Sequence, residues 1–355
     1  MTDKETGIHM ARNYHSKTSS KNTTEEINRW LTTNMYHNSE FNDINALVEL
    51  KNQSSTTISL CFPTLNEETT IGPIVSTMRS GLMEKHPLID EIIVVDSGST
   101  DRTKEVVLDA GADFYSAASC LTNEGVYNGK GENLWKSLYL TRGDIILWID
   151  SDIKNIHPKF AYGIIGTLLK RPDVAFCKGF YERPLNVDGT LQHSEGGRVT
   201  EILMRPLINH FFPNLSGFIQ PLSGEYGGRR EVFEQIPFFT GYGVEIGMLI
   251  DIVNNFGLDA VAQVDLDVRV HRNQRLENLG KMAFGILQSF FKRCHELNII
   301  DLPNAMKETF LQVTSDAVGY DIIEKNIVEF ERPPVIEIED YTIKHKDYSQ
   351  SPCPA

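Results

Sequence analysis

The sequence predicts an α/β fold: a Rossmann-like, mostly parallel sheet with helices on both faces, flanked by an N-terminal arm and a C-terminal tail. Three observations predict it. From Thr57 onward, short apolar runs alternate with longer stretches of helical periodicity, the rhythm of βα units. The run Asp144–Ile149 is nearly continuous in apolar residues, as a strand buried on both faces must be. Three of the expected strands also end in polar segments, the place where open parallel sheets bind ligands.

The elements follow in order. Residues 1–55 are polar with one expected helix, from about Thr24 to Leu50, on which Ile27, Trp30 and Leu31 share a face; this arm packs on the body or on a second subunit. Strand Thr57–Pro63 is then followed by helix Glu68–Met83, strand Asp90–Asp96 by helix Asp101–Ala110, and strand Ala112–Ser116 by helix Gly131–Thr141. Past Asp152 the rhythm loosens. A helix near Lys159–Lys170 leads to strand Val174–Arg183, a turn at Asn186–Gly189 and a helix near Val199–Phe211. A glycine-rich irregular stretch reaches Gly243, and helix Glu245–Phe256, strand Ala260–Val270 and helix Leu276–His295 complete the body. The tail from Asn298 is acidic and proline-bearing, and no repeat of solenoid period is present.

Composition narrows the function classes. A chain of 355 residues, 41% hydrophobic, buries enough core for one large domain or two fused halves. The longest apolar runs, such as Ile145–Ile149 and Met248–Ile250, are too short to cross a bilayer. Residues 1–30 lack the apolar segment of a secretory signal. Five cysteines without Cys-x-x-Cys spacing argue against a disulfide framework or zinc knuckle and for a reducing cytoplasm. A net charge of −14 with no lysine or arginine run disfavours nucleic acid and anionic membranes as partners. Any anionic ligand must therefore be met by cations concentrated at a few places.

Those places are the strand ends. The first strand runs into Pro63-Thr64-Leu65-Asn66-Glu67, the second into Asp96-Ser97-Gly98-Ser99-Thr100-Asp101, and the fourth into Asp150-Ser151-Asp152. The second also reads as a turn with Ser99 or Thr100 capping the next helix. Asp150 and Asp152 can hold a hard divalent cation, Mg2+ or Mn2+, together with diphosphate oxygens, and His271 can add a nitrogen ligand. Lys130, on a glycine loop before a helix, either meets a phosphate or stands in solvent. Arg198, in Gly196-Gly197-Arg198-Val199-Thr200-Glu201, opposes the macrodipole of the helix it opens. Either an anion sits there, bound by glycine amides, Arg198 and Thr200, or the helix starts elsewhere. Tyr242 and Glu245 stand on a bendable loop, Glu245 either as a first-turn carboxylate or as a binder of sugar hydroxyls.

In order and spacing these motifs resemble the glucosyl-3-phosphoglycerate synthases, retaining glycosyltransferases of the GT-A fold, from about Ile58 to Cys294. The resemblance is carried by Pro-Thr-Leu-Asn-Glu-Glu, Asp-Ser-Gly-Ser-Thr-Asp, Gly-Lys-Gly-Glu, Asp-Ser-Asp, Gly-Gly-Arg-Val-Thr-Glu, Gln-Pro-Leu-Ser-Gly-Glu-Tyr, Gly-Tyr-Gly-Val-Glu-Ile-Gly and Val-His-Arg-Asn. It implies UDP-glucose as donor and 3-phospho-D-glycerate as acceptor. Pro63, Leu65, Glu67, Ser97 and Lys130 would hold uridine and diphosphate, with Asp150 and Ser151 beside the nucleotide and Asp152 and His271 on the metal. Gly197, Arg198, Thr200 and Asn273 would hold the acceptor, Tyr242 and Glu245 the sugar, and the Leu222 backbone would lie near the acceptor hydroxyl. The implied division is a helical arm 1–55, a nucleotide-sugar half 56–190, an acceptor half 191–297 and a tail 298–355. The implied protein is a cytoplasmic homodimer in the synthesis of glucosylglycerate, a compatible solute. Two departures from one member of that family stand out: Ser223 stands where it has a second glycine, and Gly227-Gly228-Arg229-Arg230 differs from its segment.

The expected reaction retains anomeric configuration. Glu245, Leu222 and Asp150 stand nearest the chemistry, and Lys130 with Arg269 or Arg272 assists departure of the diphosphate. Alternatives are a mannosyl-3-phosphoglycerate synthase using GDP-mannose, an inverting polyprenyl-phosphate glycosyltransferase, and a catalytically dead nucleotide-sugar sensor.

Overall fold

The computed structural model describes residues 20–183, 185–187, 190–192, 197–270, 276–315 and 319–350. The arm is not one helix but α1 (Ser20–Asn34), strand β1 (Met35–His37) and α2 (Ile44–Ser54). The break at Asn34 has a tertiary cause: its side-chain amide donates to the carbonyls of Asp259 (2.9 Å) and Val261 (2.8 Å). The Trp30 indole, fully buried, donates to the same Val261 carbonyl. The arm is thereby fastened to the body, and β1 pairs as an edge strand of the main sheet.

Regular alternation follows: β2 (Ile58–Thr64), α3 (Ile71–Arg79), β3 (Glu91–Asp96), α4 (Thr103–Asp109), β4 (Asp113–Ser116), α5 (Lys130–Leu140), β5 (Ile145–Trp148), α6 (Lys159–Lys170) and β6 (Phe176–Glu182). A small hairpin, β7 (Leu185–Val187) with β8 (Thr190–Gln192), brackets the expected turn, of which residues 188 and 189 lie outside the described residues. The second half contains α7 (Arg205–Phe211), β9 (Tyr226–Arg229), α8 (Arg230–Glu234), β10 (Phe238–Phe239), α9 (Val244–Phe256), β11 (Val261–Val268) and α10 (Leu276–Glu296). The tail forms β12 (Thr309–Ser315), β13 (Tyr320–Asn326), β14 (Glu331–Arg332) and α11 (Glu339–Gln350).

The main sheet has eight strands in the order β1-β11-β6-β9-β5-β2-β3-β4. It is parallel throughout except at β9, which runs antiparallel between β5 and β6. Alternate side chains of the central strands enter two separate cores. Leu60, Phe62, Val94 and Leu147 pack under α3 and α6, while Cys61, Ile93, Val95 and Trp148 pack against α5 and α9. The segment after Tyr226 is used structurally. Arg230 donates to the carbonyls of Gly143 (2.8 Å) and Leu138 (2.9 Å), closing the end of α5 where its last carbonyls lack helical partners.

Candidate active site

The chain winds outward from β2 through β3 to β4, then returns to lay β5 on the other side of β2. At such a reversal the loops leaving neighbouring strands part, opening a crevice beyond their carboxyl ends. A cleft of about 630 Å³ lies there. Ser151 closes its floor, its hydroxyl donating to the Pro63 carbonyl at 2.8 Å across the ends of β5 and β2. After β3 the turn is wound on buried Asp96, whose carboxylate accepts from the amides of Gly98 (2.9 Å) and Ser99 (2.7 Å). The first amide of α4, that of Thr103, is met by Asp101 at 3.0 Å, and the N-cap position is Arg102 rather than Ser99 or Thr100. Ser97 thus faces the cleft, with its hydroxyl donating to Asn133 on α5 at 2.9 Å.

The acidic pair after β5 sits in a dense charge network. Asp150 takes Lys130 Nζ on Oδ1 at 2.5 Å and Arg269 on Oδ2 at 3.0 Å. Burial opposes its charge, but the Lys130 and Arg269 cations hold its carboxyl well below the usual carboxylate range. Gly224 permits this packing, since a Cβ there would stand 2.1 Å from Asp150 Oδ2. Lys130, the first residue of α5, also pairs with Glu245 at 2.7 Å, so the lysine is a cleft residue and not a solvated one. Burial disfavours its ammonium, yet Asp150 and Glu245 hold it protonated far above the normal range.

Arg269, an expected assistant to the leaving group, lines the cleft from beneath the carboxylates, paired with Asp150, with Asp152 at 2.7 Å and with Glu225 at 3.1 Å. Arg272, the other arginine so assigned, lies outside the described residues. Asp152 is pushed above its usual pKa by burial, with Arg269 pulling down and Asp150 pushing up. Its Oδ1 takes Arg269, and its Oδ2 has no ion pair or hydrogen bond among the described residues. A hard divalent cation fits this oxygen by donor type, whereas both oxygens of Asp150 are already committed to cations. His271, the other expected ligand, lies outside the described residues. A second cluster, His37, Asp265 and Asp267, is near β1, where Lys159 and Asn38 already bond Asp267.

Across the cleft, Gly197 adopts a left-handed φ of 90° and Arg198 begins the helical segment, as expected for an arginine placed at a helix start. That segment continues as a π turn, Thr200–Met204, into α7. Gly197, Arg198 and Thr200 all line the cleft; Asn273 lies outside the described residues. Leu222 lines the cleft between the two sides, on a turn pinned from below. Lys178, fully buried, donates to the Ser223 carbonyl at 2.8 Å, and the Ser223 hydroxyl donates to Gly179 at 2.5 Å. Ser223 thus ties the Leu222 turn to β6. Burial pulls the Lys178 ammonium down to about 7.

Tyr242 reaches the cleft from the loop before α9 and Glu245 from the first turn of α9, and Leu279, Met282 and Ile286 of α10 add an apolar wall. Every described residue among the expected site residues therefore lines one cleft, Pro63, Leu65 and Glu67 included. Arg183, Asn133 and the α10 wall line it too and were not expected. No short motif marks them.

Lys130→Ala is expected to weaken donor binding about tenfold to a hundredfold, the cost of one lost charge-assisted contact. Calorimetry with UDP-glucose and Mg2+ checks it. Unchanged affinity would leave Lys130 only its ion pairs with Asp150 and Glu245.

Known proteins share this fold and much of this sequence. Glycosyl transferase family 2 matches residues 59–241. Glucosyl-3-phosphoglycerate synthase of Petrotoga mobilis is 48% identical over 309 residues, 87% of this chain and 95% of the relative. That of Mycolicibacterium smegmatis is 42% identical over 268 residues, 75% of this chain and 86% of the relative. Among solved structures, mannosyl-3-phosphoglycerate synthase from Rubrobacter xylanophilus superposes with a TM-score of 0.81 at 36% identity, covering 88% of this chain and 99% of that one. Glucosyl-3-phosphoglycerate synthase from Mycobacterium tuberculosis, in complex with Mn2+, UDP and phosphoglyceric acid, superposes with a TM-score of 0.73 at 38% identity, covering 83% and 95%.

Proposed function

The chain belongs to the glucosyl-3-phosphoglycerate synthases of glycosyl transferase family 2, and from that premise we propose how its cleft performs the transfer. The enzyme moves glucose from UDP-glucose to 3-phospho-D-glycerate and uses Mg2+ or Mn2+. One observation carries the residue assignment: a single cleft joins the strand-end carboxylates and Lys130 to the helix start at Gly197–Thr200. Pro63, Leu65, Glu67, Ser97 and Ser151 hold the nucleotide, and Lys130 meets the diphosphate. Asp152, with His271, holds the cation, which as a Lewis acid neutralises charge on the departing diphosphate. Arg198, Thr200 and the Gly197 amide, with Asn273, bind the acceptor's phosphate and carboxylate.

Tyr242 and Glu245 contact the sugar. Glu245 is bonded to Lys130 at 2.7 Å, an arrangement that lowers its nucleophilicity and supports transfer without a covalent enzyme intermediate. The acceptor hydroxyl then attacks C1 from the face the diphosphate leaves. Its proton passes to a departing phosphate oxygen, the new glycosidic bond replaces the C1–phosphate bond, and configuration is retained. The Leu222 carbonyl lies beside that hydroxyl, and Lys178 keeps the turn in place. The four described cysteines are unpaired and buried, which supports a reducing, cytoplasmic setting.

The structural likeness to a mannosyl-3-phosphoglycerate synthase makes GDP-mannose the alternative donor to test. Among the described residues no helix is long and apolar enough to cross a membrane, which gives a polyprenyl-phosphate acceptor no support.

The acceptor assignment is tested at Arg198. UDP release with 3-phosphoglycerate should far exceed release with glycerate, which lacks the phosphate. Arg198→Ala should lower acceptor kcat/KM by about tenfold to a hundredfold, the worth of about 1.5–3 kcal/mol in charged hydrogen bonds, and should narrow that gap. Arg198→Lys should be poorly tolerated, since an ammonium cannot supply two directed bonds. Intact 3-phosphoglycerate kinetics in Arg198→Ala would remove the anion site from this helix start.

A further inference from the structure

The tail returns to the cleft. Beyond β13, the segment from Ile327 to Pro333 crosses α10 and pairs with the chain just before the Tyr242 loop. The Glu329 amide donates to Gln288 of α10 at 3.0 Å, and the Phe330 carbonyl accepts from the Thr240 amide at 2.8 Å. Between these anchors the Glu329 carboxylate accepts from the amides of Gly241 (3.0 Å) and Tyr242 (2.8 Å). These amides immediately precede α9, whose N-cap, Gly243, has no side chain to offer. A carboxylate from the tail thus fixes the backbone that leads into α9. Gly241 is shaped to admit it, since a Cβ there would stand 2.4 Å from Glu329 Oε1.

We propose that Glu329 is a positioning residue for donor-sugar recognition: it orders the Gly241–Gly243 backbone so that Tyr242 and Glu245 meet the glucosyl group. The inference rests on assigning those two side chains to the sugar. Glu329 lies beyond residues 59–241, the span of the family match, and touches the sugar only through the loop it holds. Its loss should be felt by UDP-glucose and not by UDP, which lacks the sugar.

The test compares the two affinities by calorimetry with Mg2+ on the full chain. Glu329→Gln replaces one acceptor oxygen by an NH2 facing N–H donors. It should weaken UDP-glucose binding about tenfold while UDP binding changes less than twofold, and Glu329→Asp should restore part of the preference. Should Glu329→Gln fail to fold, Gly241→Ala displaces the same carboxylate from the loop side and is read in the same way. Tyr242→Ala is the reference. If it keeps the wild-type preference for UDP-glucose over UDP, the sugar-site reading fails and the inference with it. If Tyr242→Ala loses the preference while Glu329→Gln, or Gly241→Ala in its place, keeps it, the inference alone is overturned. Equal weakening of both ligands in the Glu329 variant also overturns it, because that is what a general structural defect produces.

Discussion

Asp152→Ala is expected to lower kcat on the order of a hundredfold or more while leaving the fold intact. The magnitude follows from losing the anchor of a Lewis acid worth several kcal/mol in the transition state. The fold should survive for a local reason. The Asp152 side chain is 29% exposed, and Arg269 keeps Asp150 at 3.0 Å and Glu225 at 3.1 Å when Asp152 is gone. Chelation of the wild type should abolish turnover, with Mg2+ or Mn2+ restoring it. In Asp152→Ala, saturating metal should restore little. The measurement is kcat against metal concentration, alongside a thermal melt. Full activity of the variant, or of the wild type in excess chelator, would contradict the assignment.

Arg332→Ala should have the largest effect on stability, about 3–5 kcal/mol, because it strands a buried carboxylate. Arg332 grips Glu132 with two bonds, Nε to Oε2 at 2.8 Å and Nη2 to Oε1 at 2.6 Å, and Glu132 is completely buried in α5. The guanidinium also lies over the rings of Tyr127 and Trp135, 4.5 Å and 4.7 Å from their centroids. Lys136 remains 3.1 Å from Glu132 and places the expected loss toward the lower end of that range. Urea unfolding of Arg332→Ala, Glu132→Gln and the double variant measures it, and the cycle should reveal strong coupling. A loss below about 1 kcal/mol, the range of exposed ion pairs, would contradict the prediction. Since α5 begins at Lys130, partial destabilisation here should also loosen donor binding.

What was legible in the sequence follows the range of the forces involved. Strands β2, β3 and β5 could be read because burial on both faces demands continuous apolar runs, and the strand ends announced their loops. Helices α6 and α10 stood out by period. The arm misled because the contacts that break its helix, from Asn34 to Asp259 and Val261, span more than 200 residues. Strand β9 was missed because Tyr226-Gly227-Gly228-Arg229 has no alternation to read; its glycines instead admit neighbouring backbone, the Ala175 carbonyl standing 2.6 Å from where a Gly228 Cβ would lie. In the site, motif residues with short-range patterns were found. Lys178, Glu225 and Glu329 as a contributor to the site were not found, because their partners are remote in sequence: Ser223, Arg269 and the Gly241–Tyr242 amides. Glu329 and Arg332 look like solvated charges in an acidic tail until the fold supplies amides for one and Glu132 for the other.

The central claim is tested most directly by proton NMR of the product formed from equimolar UDP-glucose and GDP-mannose with 3-phosphoglycerate and Mg2+. The account predicts glucose joined through the α-configured anomeric carbon to the free hydroxyl of 3-phosphoglycerate, with UDP-glucose consumed first. A β-configured product, predominant mannosyl transfer, or hydrolysis of donor without transfer to 3-phosphoglycerate would contradict it.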